Sequence, residues 1–449
     1  MDHSTVRAEI PEVPFHSEPV PGVVVIFSGE QPRCAPIALE RGSMEICRGS
    51  AAGLPIVDDS QMSRRHMRVS FDGSHWTVED LGSTNGTFVD GEPCRKEIRR
   101  EMIRVVRCGK TVFLLLDDIR RFVGEPTFVE SGVVIGPTLR RAYQVIAQAA
   151  AAGDSLLVTG ESGTGKELAA RAYHRAGPQS RGPFIAVNCA AIPEGLAERL
   201  LFGARRGAYS GATHDTEGYV QAAHGGTLFL DEVAELDAAV QAKLLRTIET
   251  GEVLELGAVA PRPVQVRVCA ATHDLRARVA SGQFREDLYY RIGRPEVRLL
   301  PLRERLEEIP WLLTECCRAV DERSPPVVDA SLVIACALRP WPGNVRELVG
   351  EARRMVTRVL GDKRHLLEAK DLDEVAGMGI TASAVPVDRT RATRHSQPEV
   401  PQDEVAEALR LEKGNVSRAA NRLGVHRNKV RRWLERNGLD RSVFGGNND

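Results

Sequence analysis

The chain lacks an excess of charge of either sign. Its 60 Lys and Arg stand against 61 Asp and Glu, for a formal net charge of −1. A uniformly basic nucleic-acid binder is thereby excluded, and any attraction for a polyanion has to be local. Long apolar runs are also missing; Val112–Leu116 is among the longest and is far too short to span a bilayer. The nine cysteines occur singly or as the neighbours Cys316 and Cys317, never as CxxC. Scattered thiols in an odd number exclude a secreted disulfide scaffold and read as reduced core filler. The first residues carry Asp2, Glu9 and Glu12 with no apolar segment, so a secretory leader is not expected. No internal repeat is visible. A cytoplasmic protein with no membrane partner is the expectation.

What remains is an ordinary globular composition, 42% hydrophobic and 27% charged. A length of 449 residues predicts about two to four domains. Between Pro21 and Asp118, short β-like runs (Val23–Phe27, His66–Phe71, Trp76–Glu79, Val112–Leu116) alternate with turns such as Asp72-Gly73 and Asp90-Gly91. That rhythm predicts an all-β sandwich over 21–118. Over 135–376 strands alternate with amphipathic helices, the pattern of a parallel α/β domain. Its expected strands are Leu156–Val158, Phe184–Val187, Thr227–Leu230 and Val264–Ala270. From about Pro301 the strands are expected to stop and a helical lid to follow. Residues 377–401 are rich in Ala, Thr, Ser, Pro and Arg and read as a linker. Residues 402–442 form a compact all-α module.

Gly160–Glu167 (GESGTGKE) follows a predicted strand and opens a predicted helix, Leu168–Arg175. Gly160, Gly163 and Gly165 let the backbone curl so that its N–H groups face phosphates, and Lys166 supplies charge. Glu161, Ser162, Thr164 and Glu167 complete the loop. Glu167 stands where the generic loop has a hydroxyl residue. Sixty-five residues beyond Lys166, the apolar run Leu228–Glu232 ends in two carboxylates. Asp231 would hold Mg²⁺, the one metal expected, and Glu232 would activate the attacking water. Between the two motifs lies Gly207-Ala208-Tyr209-Ser210-Gly211-Ala212 (GAYSGA).

This set resembles the AAA+ core of bacterial sigma-54 activators, whose GAFTGA loop engages RNA polymerase carrying sigma-54. Tyr209 replaces the usual Phe and Ser210 the usual Thr. The resemblance implies further roles: Asn188 restrains the catalytic glutamate, and Thr272 senses the γ-phosphate. Arg285 and Arg291 in Phe284–Arg291 (FREDLYYR) would be arginine fingers reaching a neighbouring subunit's ATP. Arg346 in Trp341–Leu348 (WPGNVREL) would contact nucleotide, and Pro301–Arg305 (PLRER) is a further landmark. Fingers acting in trans imply a homo-oligomeric ring, in this family usually a hexamer.

In the amino-terminal region Arg48, Ser63-Arg64-Arg65-His66 and Ser83-Thr84-Asn85-Gly86-Thr87 follow one another on a β pattern. The ordered set resembles a forkhead-associated (FHA) domain, a binder of phosphothreonine peptides. A phosphate of about −1.5 to −2 charge asks for arginine, hydroxyl and backbone donors on loops of a rigid sandwich. By resemblance Arg48 and Ser63 would hold the phosphate, and Arg64, Thr84 and Asn85 the peptide. His66 is expected to brace the loop. The implied partner is a threonine-phosphorylated protein or its Ser/Thr kinase.

Near the other end, Asn415–Leu423, Gly424-Val425 and His426–Asn437 read as helix, short turn, helix. Val416, Ala419, Ala420, Leu423, Val425, Val430, Trp433 and Leu434 recur at three-to-four spacing. From Lys413 to Arg441 nine basic residues oppose two acids, a local charge of +7. That is a footprint for double-stranded DNA. The module resembles a Fis-like helix-turn-helix, with His426, Arg427, Asn428, Lys429, Arg431 and Arg432 as candidate contacts. The whole chain thus reads as an ATP-driven sigma-54 activator with an FHA sensor. The rival is a nucleotide-gated DNA-binding regulator that no longer remodels polymerase.

Overall fold

The computed structural model describes residues 18–49, 59–130, 132–193, 195–379 and 402–412, with positions 419, 422, 423, 430 and 434. Contacts divide the chain into two units, residues 1–381 and 382–449.

The first unit begins with strands β1 (Gly22–Ser28), β2 (Gln31–Ala38), β3 (Ser43–Ile46), β4 (Met67–Phe71) and β5 (Trp76–Asp80). There follow β6 (Thr87–Val89), β7 (Glu92–Cys94), β8 (Glu97–Arg100), β9 (Val105–Cys108) and β10 (Thr111–Leu116). They form two antiparallel sheets, ordered β2-β1-β10-β9-β6-β7 and β3-β4-β5-β8. Val23 and Val25 of β1 and Phe113 of β10 meet Val69, Trp76 and Val78 of the opposite sheet. The strand expected from His66 starts at Met67, because the His66 ring turns aside to bond Ser63 and Gly86.

Next come the hairpin β11 (Phe128–Glu130) and β12 (Val133–Ile135), then α1 (Pro137–Ala152), β13 (Leu156–Thr159), α2 (Lys166–Ala176) and β14 (Phe184–Asn188). Helices α3 (Ala197–Phe202) and α4 (Tyr219–Ala222) lead to β15 (Thr227–Asp231) and α5 (Ala238–Thr250). The chain continues through β16 (Glu252–Val253), β17 (Arg262–Pro263), β18 (Arg267–Thr272), α6 (Leu275–Ala280), α7 (Glu286–Ile292) and β19 (Glu296–Arg298). Five of these strands make a parallel sheet in the order β14-β15-β18-β13-β19. On β13, Leu157 enters the core on one face and Leu156 and Val158 the core on the other. Burial on both faces explains why these strands read as unbroken apolar runs. The strand expected over Val264–Ala270 runs instead from Arg267 to Thr272. Arg262 and Pro263 are drawn into a short ribbon with Glu252 and Val253, and Val264 N–H donates to Gly251 O at 2.7 Å.

The lid contains α8 (Ile309–Val320), β20 (Val327–Val328), α9 (Ala330–Ala337), α10 (Asn344–Gly361) and β21 (Leu366–Leu367). It is not free of strands as expected: β20 and β21 pair in parallel and tie the start of α9 to the segment after α10.

Sandwich and lid share one apolar core. Val24 and Ile26 of β1, Val105 of β9, and Val112 and Leu114 of β10 pack in the same cluster as Leu312, Leu332, Val333 and Trp341. An antiparallel sheet with one wet face alternates apolar and polar residues. β1 is buried along its whole length instead, because α9 covers its outer face as the second sheet covers its inner one.

In the second unit α11 (Gln402–Leu411) contributes Val405, Ala408 and Leu409 to a cluster with Ala419, Val430 and Leu434. The six candidate DNA contacts, His426, Arg427, Asn428, Lys429, Arg431 and Arg432, lie outside the described residues. Among the described residues no helix is long and apolar enough to cross a membrane.

Candidate functional site

Parallel strands all point the same way, so whatever follows their carboxyl ends gathers along one edge of the sheet. The Gly160–Gly165 loop follows β13, and Asn188, Asp231 and Thr272 end β14, β15 and β18. Register makes this exact pairing: Asn188 is opposite Asp231, and Thr272 opposite Thr159. A cavity of about 490 Å³ opens there. Its lining combines the polar Lys166, Asn188, Asp231 and Glu232 with the apolar Val133, Val134, Leu139, Leu312 and Val349. A cavity with both an apolar lining and a cationic and carboxylate set suits a base and its phosphates.

Gly163 has φ of 76°, and a Cβ on it would lie 2.1 Å from Gly343 O. Only glycine fits, because the lid backbone comes down on the loop at that point. Lys166 is 8% exposed; its Nζ donates to Gly160 O at 2.9 Å and lies 3.4 Å from Glu232 Oε1. Burial and the neighbouring Glu232 carboxylate raise the Asp231 pKa, against the pull of Lys166. Two adjacent carboxylates with one lysine between them suit a further cation. Among the described residues no cluster of three or more His, Cys, Asp or Glu forms a complete protein cage. Mg²⁺ is commonly held by one or two carboxylates plus phosphates, so Asp231 and Glu232 fit it. Glu232 sits at φ 51°, ψ 47°, left-handed for a non-glycine residue, a conformation that clusters at functional sites.

Glu167 lines the cavity but pairs with Arg171 at 2.7 Å. Arg346 lines it too, and donates to Ser162 Oγ at 3.1 Å. Thr272 is buried, and its carbonyl accepts from Gly160 N–H at 3.3 Å. Arg285 and Arg291 are not among the residues lining this cavity. Arg285 pairs with Asp287 at 2.7 Å, and Arg291 donates to Ile248 O at 3.3 Å. Both are exposed.

The GAYSGA segment is a closed turn: Gly207 N–H donates to Ala212 O at 2.9 Å and Ala212 N–H to Tyr209 O at 3.0 Å. Gly211 has φ of 101° with no atom within 4 Å of a would-be Cβ, so backbone shape rather than crowding calls for glycine. Ser210 and Gly211 are exposed, whereas the Tyr209 ring is half-buried, 5.0 Å from the Arg199 guanidinium. The aromatic is thus held against its own subunit by a cation–π contact.

On the sandwich, Arg48 N–H donates to Ser63 O at 2.9 Å, and Thr84 N–H to Ser63 Oγ at 3.0 Å. Asn85 Nδ2 donates to Gln61 O at 2.8 Å. Arg48, Ser63, Thr84 and Asn85 are thereby brought together from the β3–β4 and β5–β6 connections, with Arg64 exposed beside them. His66 is fully buried; its Nδ1 accepts from Ser63 N–H at 3.0 Å, and its Nε2 lies 3.2 Å from Gly86 O. It ties two of those loops together. Arg65 and Arg68 are engaged by Glu45. Arg48 and Arg64 have no carboxylate partner among the described residues, which leaves two cations for an anion.

Sequence reasoning met Arg305 and Asn344 only inside the stretches Pro301–Arg305 and Trp341–Leu348 and gave them no role, and it passed over Glu308. Arg305 and Glu308 line the cavity, and Asn344 bonds the phosphate loop at Ser162 O. The available signal was a charged run, Arg303–Arg305, set between the buried Leu302 and Leu306.

Residues 134–298 match the sigma-54 interaction domain, residues 48–104 the FHA domain, and residues 397–436 the bacterial regulatory proteins of the Fis family. The DNA-binding transcriptional regulator NtrC of Azospirillum brasilense is 37% identical over 336 residues, 69% of each chain. The transcriptional regulatory protein GlrR of Escherichia coli (strain K12) is 38% identical over 319 residues, 70% of each. Among solved structures, NtrX from Brucella abortus in complex with ATP aligns with a TM-score of 0.50 at 28% identity, covering 70% of both chains.

Proposed function

Because the chain belongs to the NtrC-like family of sigma-54 transcriptional activators with a Fis-type DNA-binding module, we propose that it couples ATP hydrolysis to remodelling of sigma-54 RNA polymerase under control of a threonine-phosphorylated partner. The observation that carries this reading is the gathering of Lys166, Asn188, Asp231 and Glu232 at one edge of the sheet. Lys166 pairs with the phosphates. Glu232 accepts the proton of the attacking water, and Asn188 keeps that carboxylate in place until the γ-phosphate arrives. Mg²⁺ held through Asp231 supplies neutralisation of the phosphate oxygens. Arg285 and Arg291 are exposed and do not line the subunit's own cavity, which suits service to a neighbour's transition state. The assembly is therefore a ring, in this family a hexamer. Arg346 reads nucleotide from the lid, and Thr272 links the sensing strand to the phosphate loop.

The GAYSGA turn carries the mechanical output. Ser210 meets polymerase directly, and Tyr209 joins it when its ring leaves Arg199. Arg48 and Ser63 take the phosphate of the partner, with Arg64, Thr84 and Asn85 along its peptide. The basic stretch from His426 to Arg432 of the carboxy-terminal module reads upstream DNA.

The test is open-complex formation at a sigma-54 promoter, with and without ATP, alongside ATP turnover. Ser210→Ala is expected to keep turnover within about twofold while lowering open complexes about tenfold, as the loss of a contact made only to polymerase would do. If turnover and open complexes fall together, the turn is structural and the rival reading, a regulator that no longer remodels polymerase, gains.

A further inference from the structure

A phosphate-binding loop works by aiming its N–H groups, and each peptide plane fixes the carbonyl of one residue opposite the N–H of the next. Holding a carbonyl from outside therefore aims the following N–H inward. The Ser162, Gly163 and Thr164 carbonyls are all held by the lid. Asn344 Nδ2 donates to Ser162 O at 2.9 Å, Arg305 Nη2 to Thr164 O at 2.9 Å, and the Arg346 backbone N–H to Gly163 O at 3.4 Å. Gly163 and Gly165, whose N–H groups follow two of those carbonyls, are among the residues lining the cavity, whereas the Thr164 N–H donates to Glu161 O at 3.4 Å.

Both side chains are built to stay where they are. Asn344 is fully buried; its Oδ1 accepts from Leu302 N–H at 2.8 Å, which fixes the orientation of its amide. Arg305 is 2% exposed and pairs with the fully buried Glu308 at 2.8 Å. Glu308 Oε1 accepts in turn from Gly136 N–H at 2.9 Å, at the loop before α1. Burial and the neighbouring Glu307 push the Glu308 carboxyl up to about 7, against the pull of Arg305. On the rim, Arg303 closes on Glu161 at 2.6 Å. Holding a charge pair out of water is costly unless its remaining hydrogen bonds are satisfied. Here Arg305 Nη2 and Glu308 Oε1 find backbone partners at Thr164 and Gly136, while Arg305 Nε is buried without a partner.

We propose that Asn344 and Arg305 are positioning residues for the triphosphate: the lid grips the phosphate loop by its carbonyls and so sets the aim of the amides on the other side. Asn344 is not among the residues lining the cavity, and Arg305, which does line it, acts here through its bond to Thr164 O. Lid attachment and phosphate affinity are then one property, and loosening the grip weakens nucleotide binding while the hydrolytic groups on the sheet stay in place. The proposal rests on the reading of the Lys166 cavity as a nucleoside triphosphate site.

The test uses the full-length protein, a fluorescent ADP analogue, ATP turnover and thermal unfolding. Asn344 sits at φ 51°, so Asn344→Gly removes the amide in a conformation glycine adopts freely. Arg305→Met combined with Glu308→Gln removes the second grip without stranding a buried charge. Each variant is expected to bind the analogue about tenfold more weakly and to raise the KM for ATP similarly, with kcat within about twofold. Lys166→Ala serves as the reference that loses binding outright. Wild-type affinity in both lid variants, beside loss in Lys166→Ala, would overturn the positioning role alone. So would a fall in melting temperature and kcat with KM unchanged, the mark of a structural brace. Wild-type affinity in Lys166→Ala would overturn the nucleotide reading itself, and this proposal with it.

Discussion

Glu232→Gln is expected to keep nucleotide binding and to lose ATP turnover by at least about a hundredfold, the usual scale for a general base. The amide preserves the size of the side chain and adds no backbone demand at φ 51°, but it cannot take a proton from water. Asp231 and Lys166 remain, so the site should still fill. The same variant tests whether sites are shared between subunits. Arg291→Ala subunits keep an intact Glu232 and lack a finger, whereas Glu232→Gln subunits keep the finger. Mixing the two inactive proteins should restore part of the phosphate release, peaking at intermediate ratios. Full turnover in an Arg285/Arg291 double-alanine protein would remove the fingers from the mechanism.

Arg48→Ala is expected to weaken binding of a phosphothreonine peptide by about ten- to a hundredfold, since a charge-assisted hydrogen bond to phosphate is lost. Ser63→Ala should cost less, because a hydroxyl and no charge is removed. The geometry sharpens this expectation. Arg65 and Arg68 lie nearby yet are committed to Glu45, so they are poor substitutes for the missing guanidinium. Calorimetry with matched phosphorylated and unphosphorylated peptides is the measurement. Unchanged affinity in Arg48→Ala for a peptide that binds wild type would leave the sandwich as a plain protein-contact domain.

The features legible in the sequence are those whose chemistry is local. Gly160–Glu167 and Leu228–Glu232 each carry their geometry within a few consecutive residues, so spacing alone placed them at strand ends. The FHA set was legible because Arg48, Ser63 and Thr84 lie in the connections between strands of one sandwich, in the order its motif requires. The lid grip was not legible, because Asn344 and Ser162 lie 182 residues apart and nothing in either segment names the other. Val264 misled for a related reason: its apolar character fits a strand, but pairing of Arg262 with Val253 draws that stretch into a ribbon. The all-apolar run in β1 announced a strand without saying that both its faces are covered. Finger roles for Arg285 and Arg291 depend on a second subunit, which no single chain displays.

The core common to sandwich and lid bears on how such a chain can be recombined. Val24, Ile26, Val112 and Leu114 pack in one core with residues of α8 and α9. A foreign sensor joined ahead of β11 would bring none of those contacts and would leave the lid's apolar flank wet, a patch of the kind that drives aggregation. The division into units falls instead between residues 381 and 382. The chain therefore has one natural seam rather than two. A different carboxy-terminal module can be joined there by simple fusion, whereas a different sandwich demands that the lid change with it.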